Sequence, residues 1–336
     1  MSRIQKLQNL VDLTYIVNPI DIYYLTGEKI SAGKLIVCKD CASLFVDGRY
    51  IEKCKDNKEV IVNLDEYGAL NSFLSCISFS NVTLDPDNLS HSQFLEIEKL
   101  FCDKKVILGY PVRQMRMIKD KYELEKMQKS ADLNFEGYLF IRDFIKEGMS
   151  ENNVAWELEK FFREHGAQRL AFDSIISFGS NTSFPHHRPS SRRLKNGDPV
   201  LIDIGIVVDE YTSDLTRTFV FGDELPEYSK LEHLVKDAHD VALQLCKPGV
   251  KICDIDGAAR SFFKKVGMEN EFKHSLGHSL GLEVHEYPSV STKAKDEYLY
   301  DGMVITIEPG LYIEGLFGCR YEDTIQITEN GYKNFY

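Results

Sequence analysis

The chain has 336 residues, of which 43% are hydrophobic and 27% charged, and its formal net charge at pH 7 is -12. This length and composition predict a globular protein of about two domains and argue against intrinsic disorder. The acidic charge argues against nucleic acid and anionic membranes as partners, because both are bound through patches of Lys and Arg.

No apolar run of about 18 residues is present, so no transmembrane helix is predicted. The N-terminal stretch MSRIQKLQNLVDLTYIV also lacks the apolar core of a secretory signal, and we therefore expect a cytoplasmic protein. In that compartment the eight cysteines are expected to be reduced thiols. Cys38 and Cys41 form one CxxC motif between two β-like runs. We interpret it as a hairpin turn, because a closed zinc site needs four ligands.

The first part of the chain alternates short β-like runs with helical stretches. The runs are KLIVC, ASLFVD, EVIV, VTLD and KVILGY, and a helix is predicted from Ser92 to Phe101. Strands that alternate with helices indicate an α/β layer domain. Because the residue before a proline favours extended backbone, Tyr110-Pro111 marks the end of this region. We predict domains at residues 1–115 and 116–336.

The second part begins with helices. Amphipathic spacing predicts a helix from Asp120 to Lys146, and Ser150 is a candidate N-cap for a second helix that Gly166 ends. Further helices are predicted over residues 227–246 and 255–266, and the remaining text is β-like with Gly-rich and Pro-rich loops.

The stretch from Val200 to Phe221 reads as two β-rich runs around a polar turn, with one acid in each run. A turn centred between Val208 and Asp209 would place Asp203 opposite Asp214. Opposed Cβ atoms are about 4.5–5.5 Å apart, so the two carboxylates would repel unless a cation lay between them. A solvated hairpin with both acids facing water is the alternative that this stretch leaves open.

Other acids and histidines extend the pattern. Glu308 and Glu322 flank a turn centred on Gly315 and would also oppose each other. Five of the nine histidines lie in two places, which are His186-His187 and the trio His274, His278 and His285. Four carboxylates and one histidine would supply ligands for two ions, and oxygen ligands with one imidazole suit Mn, Fe, Co or Zn. Without ions, such a cluster would carry a repulsion of several kcal/mol.

These motifs carry a family resemblance. The segments IDIGIVVDEYTSDLTRTF, HSLGHSLGLEVHE, ITIEPGLYI and GCRYEDT resemble the metallopeptidase superfamily of methionine aminopeptidase, aminopeptidase P and prolidase. NPIDIYYLTG and LFVDGRYIEK are similar to the creatinase-type N-terminal domain of the latter two branches. The resemblance implies an α/β N-terminal domain followed by an α+β catalytic domain with the pita-bread fold.

The resemblance also implies roles for single residues. The metal ligands would be Asp203, Asp214, His278, Glu308 and Glu322. The segment PHHRP matches the superfamily's P-H-x-x-P, which makes His186 a catalytic histidine and His187 its neighbour, with a modest substrate role. His285 matches a second catalytic histidine, while His274 and Arg320 match residues that support the site. Ser275, Leu276 and Ser279 depart from the common H-G-T-G-H-G motif, and we expect the bulkier Leu276 to narrow or reshape the site.

The implied activity is hydrolysis of the peptide bond before proline, supported by two divalent ions, with Mn²⁺ as the first expectation and Co²⁺, Zn²⁺ or Fe²⁺ as alternatives. Glu308 would act as general base and acid. His285 would stabilise the oxyanion, and His186 would hydrogen-bond near the scissile amide. The resemblance further implies a homodimer that acts on proline-containing peptides.

Three functions are compatible with these residues. We expect first an aminopeptidase P, which releases the N-terminal residue of Xaa-Pro peptides. The alternative within the superfamily is a prolidase, which cleaves only Xaa-Pro dipeptides. A pita-bread module that binds a partner without catalysis is the alternative of a different class, although such relatives have lost metal ligands that this chain keeps.

Overall fold

The computed structural model describes residues 1–223 and 225–336. The chain divides into two compact units, Met1–Arg116 and Met117–Tyr336. In the part of the chain described, none of the helices has the length and apolar character needed to cross a membrane.

The first unit is an α/β layer structure around one sheet of six strands. Its helices are α1 (Arg3–Gln8), α2 (Pro19–Thr26), α3 (Ile51–Cys54), α4 (Ala69–Ser75), α5 (His91–Leu100) and α6 (Pro111–Met117). Its strands are β1 (Leu13–Ile16), β2 (Lys34–Cys38), β3 (Cys41–Val46), β4 (Ile61–Leu64), β5 (Asn81–Leu84) and β6 (Lys105–Leu108). The order is β4-β3-β2-β1-β5-β6, and β2 is antiparallel to both of its neighbours. The five other strands therefore run in one direction.

The hairpin between β2 and β3 corrects one expectation from the sequence. Cys38 and Cys41 occupy paired positions at its end, 5.3 Å apart at Cα, and they form a disulfide. The prediction of a hairpin at the CxxC motif is confirmed. The prediction that all eight cysteines are reduced is wrong for this pair, because the two-residue turn brings the Cα atoms to the ordinary disulfide separation.

The second unit has two pairs of helices and several antiparallel sheets. Its helices are α7 (Lys121–Phe144), α8 (Glu151–Glu164), α9 (Pro226–Leu243) and α10 (Ile252–Lys265). Its first strands are β7 (Arg169–Leu170), β8 (Ile175–Phe178), β9 (Pro199–Ile204), β10 (Ile206–Val208), β11 (Tyr211–Thr212) and β12 (Leu215–Val220). The later strands are β13 (Gly277–Ser279), β14 (Glu286–Val290), β15 (Val304–Ile307), β16 (Gly310–Ile313), β17 (Phe317–Arg320), β18 (Asp323–Thr328) and β19 (Gly331–Asn334).

Each helix pair covers its own sheet. Helices α7 and α8 share an apolar core with β8, β9 and β12, whereas α9 and α10 share one with the sheet β14-β13-β15-β18-β19. Local sequence explains the helix starts. Ser150 caps α8 by accepting a backbone N–H group, as predicted, and Asp120 caps α7 in the same way. Gly137 on α7 allows close packing, because a Cβ there would lie 2.2 Å from the Phe162 ring on α8.

The hairpin that carries the two aspartates has a different register from the predicted one. Its turn is Asp209-Glu210, and both residues have positive φ, at 50° and 71°. A two-residue turn of this kind matches the twist of the flanking strands. It pairs Val208 with Tyr211, and further along Asp203 with Thr216. The predicted opposition of Asp203 and Asp214 is therefore wrong by two positions. Side chains alternate along a strand, so this offset keeps both acids on one side of the sheet.

The second predicted opposition is confirmed. Residues Gly310 and Arg320 are paired in one sheet, and Ile307 and Asp323 are paired in the next. Both pairs share a turn centred on Gly315, which has a φ of +75°. Glu308 and Glu322 therefore lie opposite each other where the chain passes between the two sheets.

Candidate metal centre

A cavity of about 570 Å³ in the second unit gathers the chemically active side chains. All the site residues predicted from the sequence line it. They are His186, His187, Asp203, Asp214, His274, His278, His285, Glu308, Arg320 and Glu322. Residues more than a hundred positions apart therefore share one concave surface, of the size usual for small-ligand sites.

Backbone hydrogen bonds fix the two glutamates. The N–H of Glu308 donates to the carbonyl of Leu276 at 2.8 Å, and the N–H of Glu322 donates to the carbonyl of Thr216 at 3.2 Å. The Thr216 hydroxyl also donates to the Glu322 carboxylate at 2.7 Å. Gly277 is required beside His278, because a Cβ there would lie 2.0 Å from the Thr306 carbonyl.

Three of the candidate ligands form a compact group. Asp214, His278 and Glu322 each offer one ligand atom, and these atoms all lie within 4.8 Å of one another. The His278 Nε2 atom is 3.6 Å from Asp214 Oδ2 and 3.5 Å from Glu308 Oε1. Carboxylate oxygens around one imidazole nitrogen form a donor set for a divalent first-row metal.

The electrostatics of the cluster indicate a missing positive charge. Burial raises the pKa of Asp214, and the negative charges of Glu322, Asp203 and Glu308 raise it further. Burial also raises the pKa of Glu308 to about 8 and that of Glu322 well above its usual range. Carboxyl groups in this state resist ionisation until a cation compensates them. The donor set therefore fits divalent ions.

Arg320 compensates only part of this charge. Its guanidinium is buried and forms an ion pair with Asp203 Oδ2. The other carboxylate oxygen of Asp203, Oδ1, is buried and has no hydrogen-bond partner among the described residues. Arg320 also donates to the Tyr312 hydroxyl at 2.6 Å and to the Pro185 carbonyl at 3.2 Å. One oxygen of Asp203 is thus held by Arg320, and the other is left for a cation.

Two histidines of the cavity, His274 and His278, are held in the neutral form. Burial lowers the pKa of His278 to about 3, and the neighbouring His285 ring, 4.4 Å away between centroids, adds to the effect. The pKa of His274 also falls to about 3, first through burial and then through the charge of Arg320. A neutral imidazole keeps a lone pair, which a metal ligand requires. The Nδ1 atom of His278 is 3.2 Å from the Ser279 carbonyl, which leaves Nε2 facing the carboxylates.

Two anchors of the histidine loops had not been recognised from the sequence. The first is Glu151 in the first turn of α8, whose carboxylate is fully buried. It accepts hydrogen bonds from the backbone N–H of Phe178, from Asn181, from His187 at 2.8 Å, and from both the N–H and hydroxyl of Ser190. Its two oxygens therefore hold both ends of the loop that carries His186.

The second anchor lies beside His285. Lys119 Nζ is 3.2 Å from Glu286 Oε2, and the two side chains are 1% and 5% exposed. The other Glu286 oxygen accepts the backbone N–H groups of Leu282 and Glu283. Glu286 thus holds the segment that precedes His285.

Leu276 does not narrow the cavity by direct contact with it. Leu276 is fully buried and belongs to the apolar core under α9 and α10, and it does not line the cavity. Ser279 is buried and also lies outside the lining, whereas Ser275 contributes to it. An effect of Leu276 on the shape of the site, exerted through the core beneath it, stays a prediction.

Comparisons with known proteins agree with this geometry. Residues 125–329 match the model of metallopeptidase family M24, and residues 3–118 match that of the creatinase/prolidase N-terminal domain. An Xaa-Pro dipeptidase from Pyrococcus furiosus is 33% identical over 348 aligned residues, covering 99% of this chain and 97% of the relative.

Two solved structures share the whole architecture. A prolidase from Pyrococcus horikoshii superposes with a TM-score of 0.90 at 31% identity, covering 99% of this chain and 97% of the other. An X-Pro aminopeptidase from Thermotoga maritima superposes with a TM-score of 0.89 at 31% identity, covering 98% of this chain and 97% of the other.

Proposed function

The chain belongs to metallopeptidase family M24, and we propose that it hydrolyses Xaa-Pro dipeptides at the bond before proline. It is a metallo-exopeptidase with an α/β N-terminal domain and an α+β catalytic domain of the pita-bread fold. The observation that carries the proposal is the buried cluster of carboxylates around His278 in a cavity of about 570 Å³. We propose that residues 1–115 form the N-terminal domain and residues 116–336 the catalytic domain.

The names of the relatives support a dipeptide substrate. The relative from Pyrococcus furiosus is an Xaa-Pro dipeptidase, and the solved relative from Pyrococcus horikoshii is a prolidase. The aminopeptidase P activity that the sequence suggested first is the less specifically supported of the two. It stays the second candidate, because the solved relative from Thermotoga maritima is an X-Pro aminopeptidase.

We propose that Asp203, Asp214, His278, Glu308 and Glu322 hold two divalent ions, with Mn²⁺ first and Co²⁺, Zn²⁺ or Fe²⁺ as alternatives. Bound ions of this kind lower the pKa of a coordinated water and polarise a carbonyl oxygen. The unpaired Oδ1 of Asp203 and the raised pKa values of the neighbouring acids support this assignment.

The chain's own residues would handle the proton and the substrate. Glu308 would accept a proton from the attacking water at its carboxylate and deliver it to the leaving amine. We assign His285 to the developing oxyanion and His186 to the scissile amide. His187 bonds to Glu151 and positions the loop, and His274 connects through the Tyr312 hydroxyl to Arg320.

An assay on purified full-length protein tests the proposal. An Xaa-Pro dipeptide and an Xaa-Pro-Yaa tripeptide are each incubated with Mn²⁺ and with EDTA. Cleavage of the dipeptide alone, abolished by EDTA, is the expected result. Cleavage of both peptides would establish the aminopeptidase activity. If neither peptide is cleaved in a metal-dependent way, the non-catalytic binding module would be favoured.

Two variants test the ligand assignment. Asp214→Asn should lose bound metal and turnover together, with metal measured by elemental analysis. Asp301→Asn is the matched control, because Asp301 is exposed and does not line the cavity. Full activity in the Asp214 variant would refute the assignment.

We also propose a homodimer and a cytoplasmic location, as expected from the sequence. Light scattering coupled to size-exclusion chromatography measures the first, and cell fractionation measures the second. A monomeric mass would refute the homodimer.

A further inference from the structure

A second large cavity, of about 700 Å³, lies in the first unit at one edge of its sheet. Strands β1, β3, β4 and β5 run in the same direction, and the residues that follow their carboxyl ends line the cavity. These residues are Val17, Asn18, Asp47, Asp65 and Asn88. Open α/β sheets bind ligands in the crevice outside the carboxyl ends of parallel strands, and the volume is in the range of small-ligand pockets.

The charges that line this cavity leave one carboxylate uncompensated. Asp65 pairs with Lys34 at 2.7 Å, and Asp47 pairs with Arg49 at 2.7 Å. Glu96 on α5 also lines the cavity, and among the described residues it forms no ion pair or hydrogen bond. After these two ion pairs, the Glu96 carboxylate is left without a counter-ion and the lining holds no unpaired cation, so the cavity favours a cation over an anion.

Tyr15 supplies an unused polar group. Its side chain is 7% exposed and lines the cavity, but its hydroxyl makes no hydrogen bond to any described residue. Burial raises the pKa of this hydroxyl, and the charges of Asp65 and Glu96 raise it further, which indicates that both carboxylates lie near it. The hydroxyl oxygen is not among the fully buried polar atoms, so it is open to the cavity and can accept a hydrogen bond from a polar group of a ligand.

Part of the wall is apolar. Val17, Leu70, Ile97 and Leu100 line it beside the Tyr15 ring. We propose that the cavity binds a small protonated primary amine with an apolar body, whose ammonium group lies between the Glu96 carboxylate and the Tyr15 hydroxyl. Such a group occurs in free amines and at the N-terminus of a peptide, and the two sources present the same chemistry.

Calorimetric titration of the metal-loaded, full-length chain tests this proposal. The probes are phenethylamine, its uncharged counterpart 2-phenylethanol, and phenylalanyl-glycinamide as a peptide N-terminus. Phenethylamine should bind saturably with one site per chain, and 2-phenylethanol at least about tenfold more weakly. Comparable binding of phenylalanyl-glycinamide would identify a peptide N-terminus as an accepted source, and its failure to bind would restrict the site to free amines.

Variants locate the site. Glu96→Gln and Tyr15→Phe should each weaken phenethylamine binding about tenfold. Glu98→Gln on the same helix should leave binding unchanged, because Glu98 is exposed and does not line the cavity. Glu96 is exposed as well, so its variant is expected to fold, and it decides the outcome if the Tyr15 variant does not. Absence of saturable binding, equal binding of 2-phenylethanol, or unchanged binding in Glu96→Gln would each overturn the proposal.

Discussion

Replacing Glu151 with Gln should loosen the loop that carries His186 and His187. The substitution keeps the size of the side chain but replaces one acceptor oxygen with an NH₂ donor. One carboxylate oxygen accepts from His187 and from both donors of Ser190, and the other accepts from Phe178 and Asn181. Whichever oxygen is replaced, at least two donors lose their acceptor.

The size of the effect follows from these contacts. Breaking one side of a buried, hydrogen-bonded charge network costs about 3 kcal/mol. For a unit of this size, about 2–4 °C of melting temperature is lost per kcal/mol, so we expect a decrease of about 6–12 °C. If the loop shifts by about 1 Å, turnover should fall by about 100-fold, because catalytic groups tolerate little misplacement.

The pH dependence distinguishes the network from simple packing. Burial alone would raise the pKa of Glu151, but the hydrogen bonds from Ser190, His187, Asn181 and Phe178 outweigh it, and the pKa is lowered. A carboxyl group with a lowered pKa contributes stability above its unfolded pKa, near 4.5, and loses this contribution as the pH falls through the folded value.

Calorimetry of wild type and variant at pH 7 and in a series below about 4.5 measures this difference. The gap in melting temperature should narrow on acidification. Glu164→Gln on the same helix is the control, because Glu164 is exposed. A decrease below about 2 °C at pH 7, or a gap that does not change with pH, would refute the role of Glu151.

Three further predictions concern the cavity. Chelation with EDTA should lower the melting temperature by about 5–11 °C when free metal had been about 100-fold above its Kd, as calorimetry would measure. In metal-free protein, Asp214→Asn should instead raise the melting temperature at pH 7. The reason is that a carboxyl group with a raised pKa destabilises the folded state above its unfolded pKa, near 3.8. An unchanged melting temperature would contradict this prediction. Arg320→Lys should reduce kcat/KM and metal affinity by about 10-fold to 100-fold, because Lys lacks the planar guanidinium group that contacts Asp203 and Tyr312 together. Wild-type kinetics in this variant would argue against a supporting role of Arg320.

The sequence predicts which side chains enter the cavity better than how they pair. The opposition of Glu308 and Glu322 was predictable because Gly315 marks the centre of its turn. The pairing of Asp203 was not predictable, because its turn is formed by Asp209 and Glu210, which adopt positive φ although neither is a glycine. Such backbone angles are uncommon for these residues, so no residue type in this stretch indicated a turn centred one residue later.

The anchors of the histidine loops could not be predicted from the sequence, for a different reason. An acid in the first turn of a helix, such as Glu151, normally reads as a favourable interaction with the helix dipole at the surface. Its burial depends on a loop nearly thirty residues away that folds back over it. Lys119 and Glu286 are 167 positions apart, and their pairing follows from the tertiary fold alone.

The buried acids in and around the cavity are of two kinds, one without charge compensation and one satisfied by hydrogen bonds. Asp214, Glu308 and Glu322 lack compensation, and the folded state holds them at a cost that a cation would relieve. Glu151 and Glu286 are satisfied by hydrogen bonds from the chain itself. Because these anchors do not depend on the cluster, they hold the loops of His186 and His285 in place without metal. Binding of the proposed ions would then need to order few further groups, with the two proposed catalytic histidines already positioned.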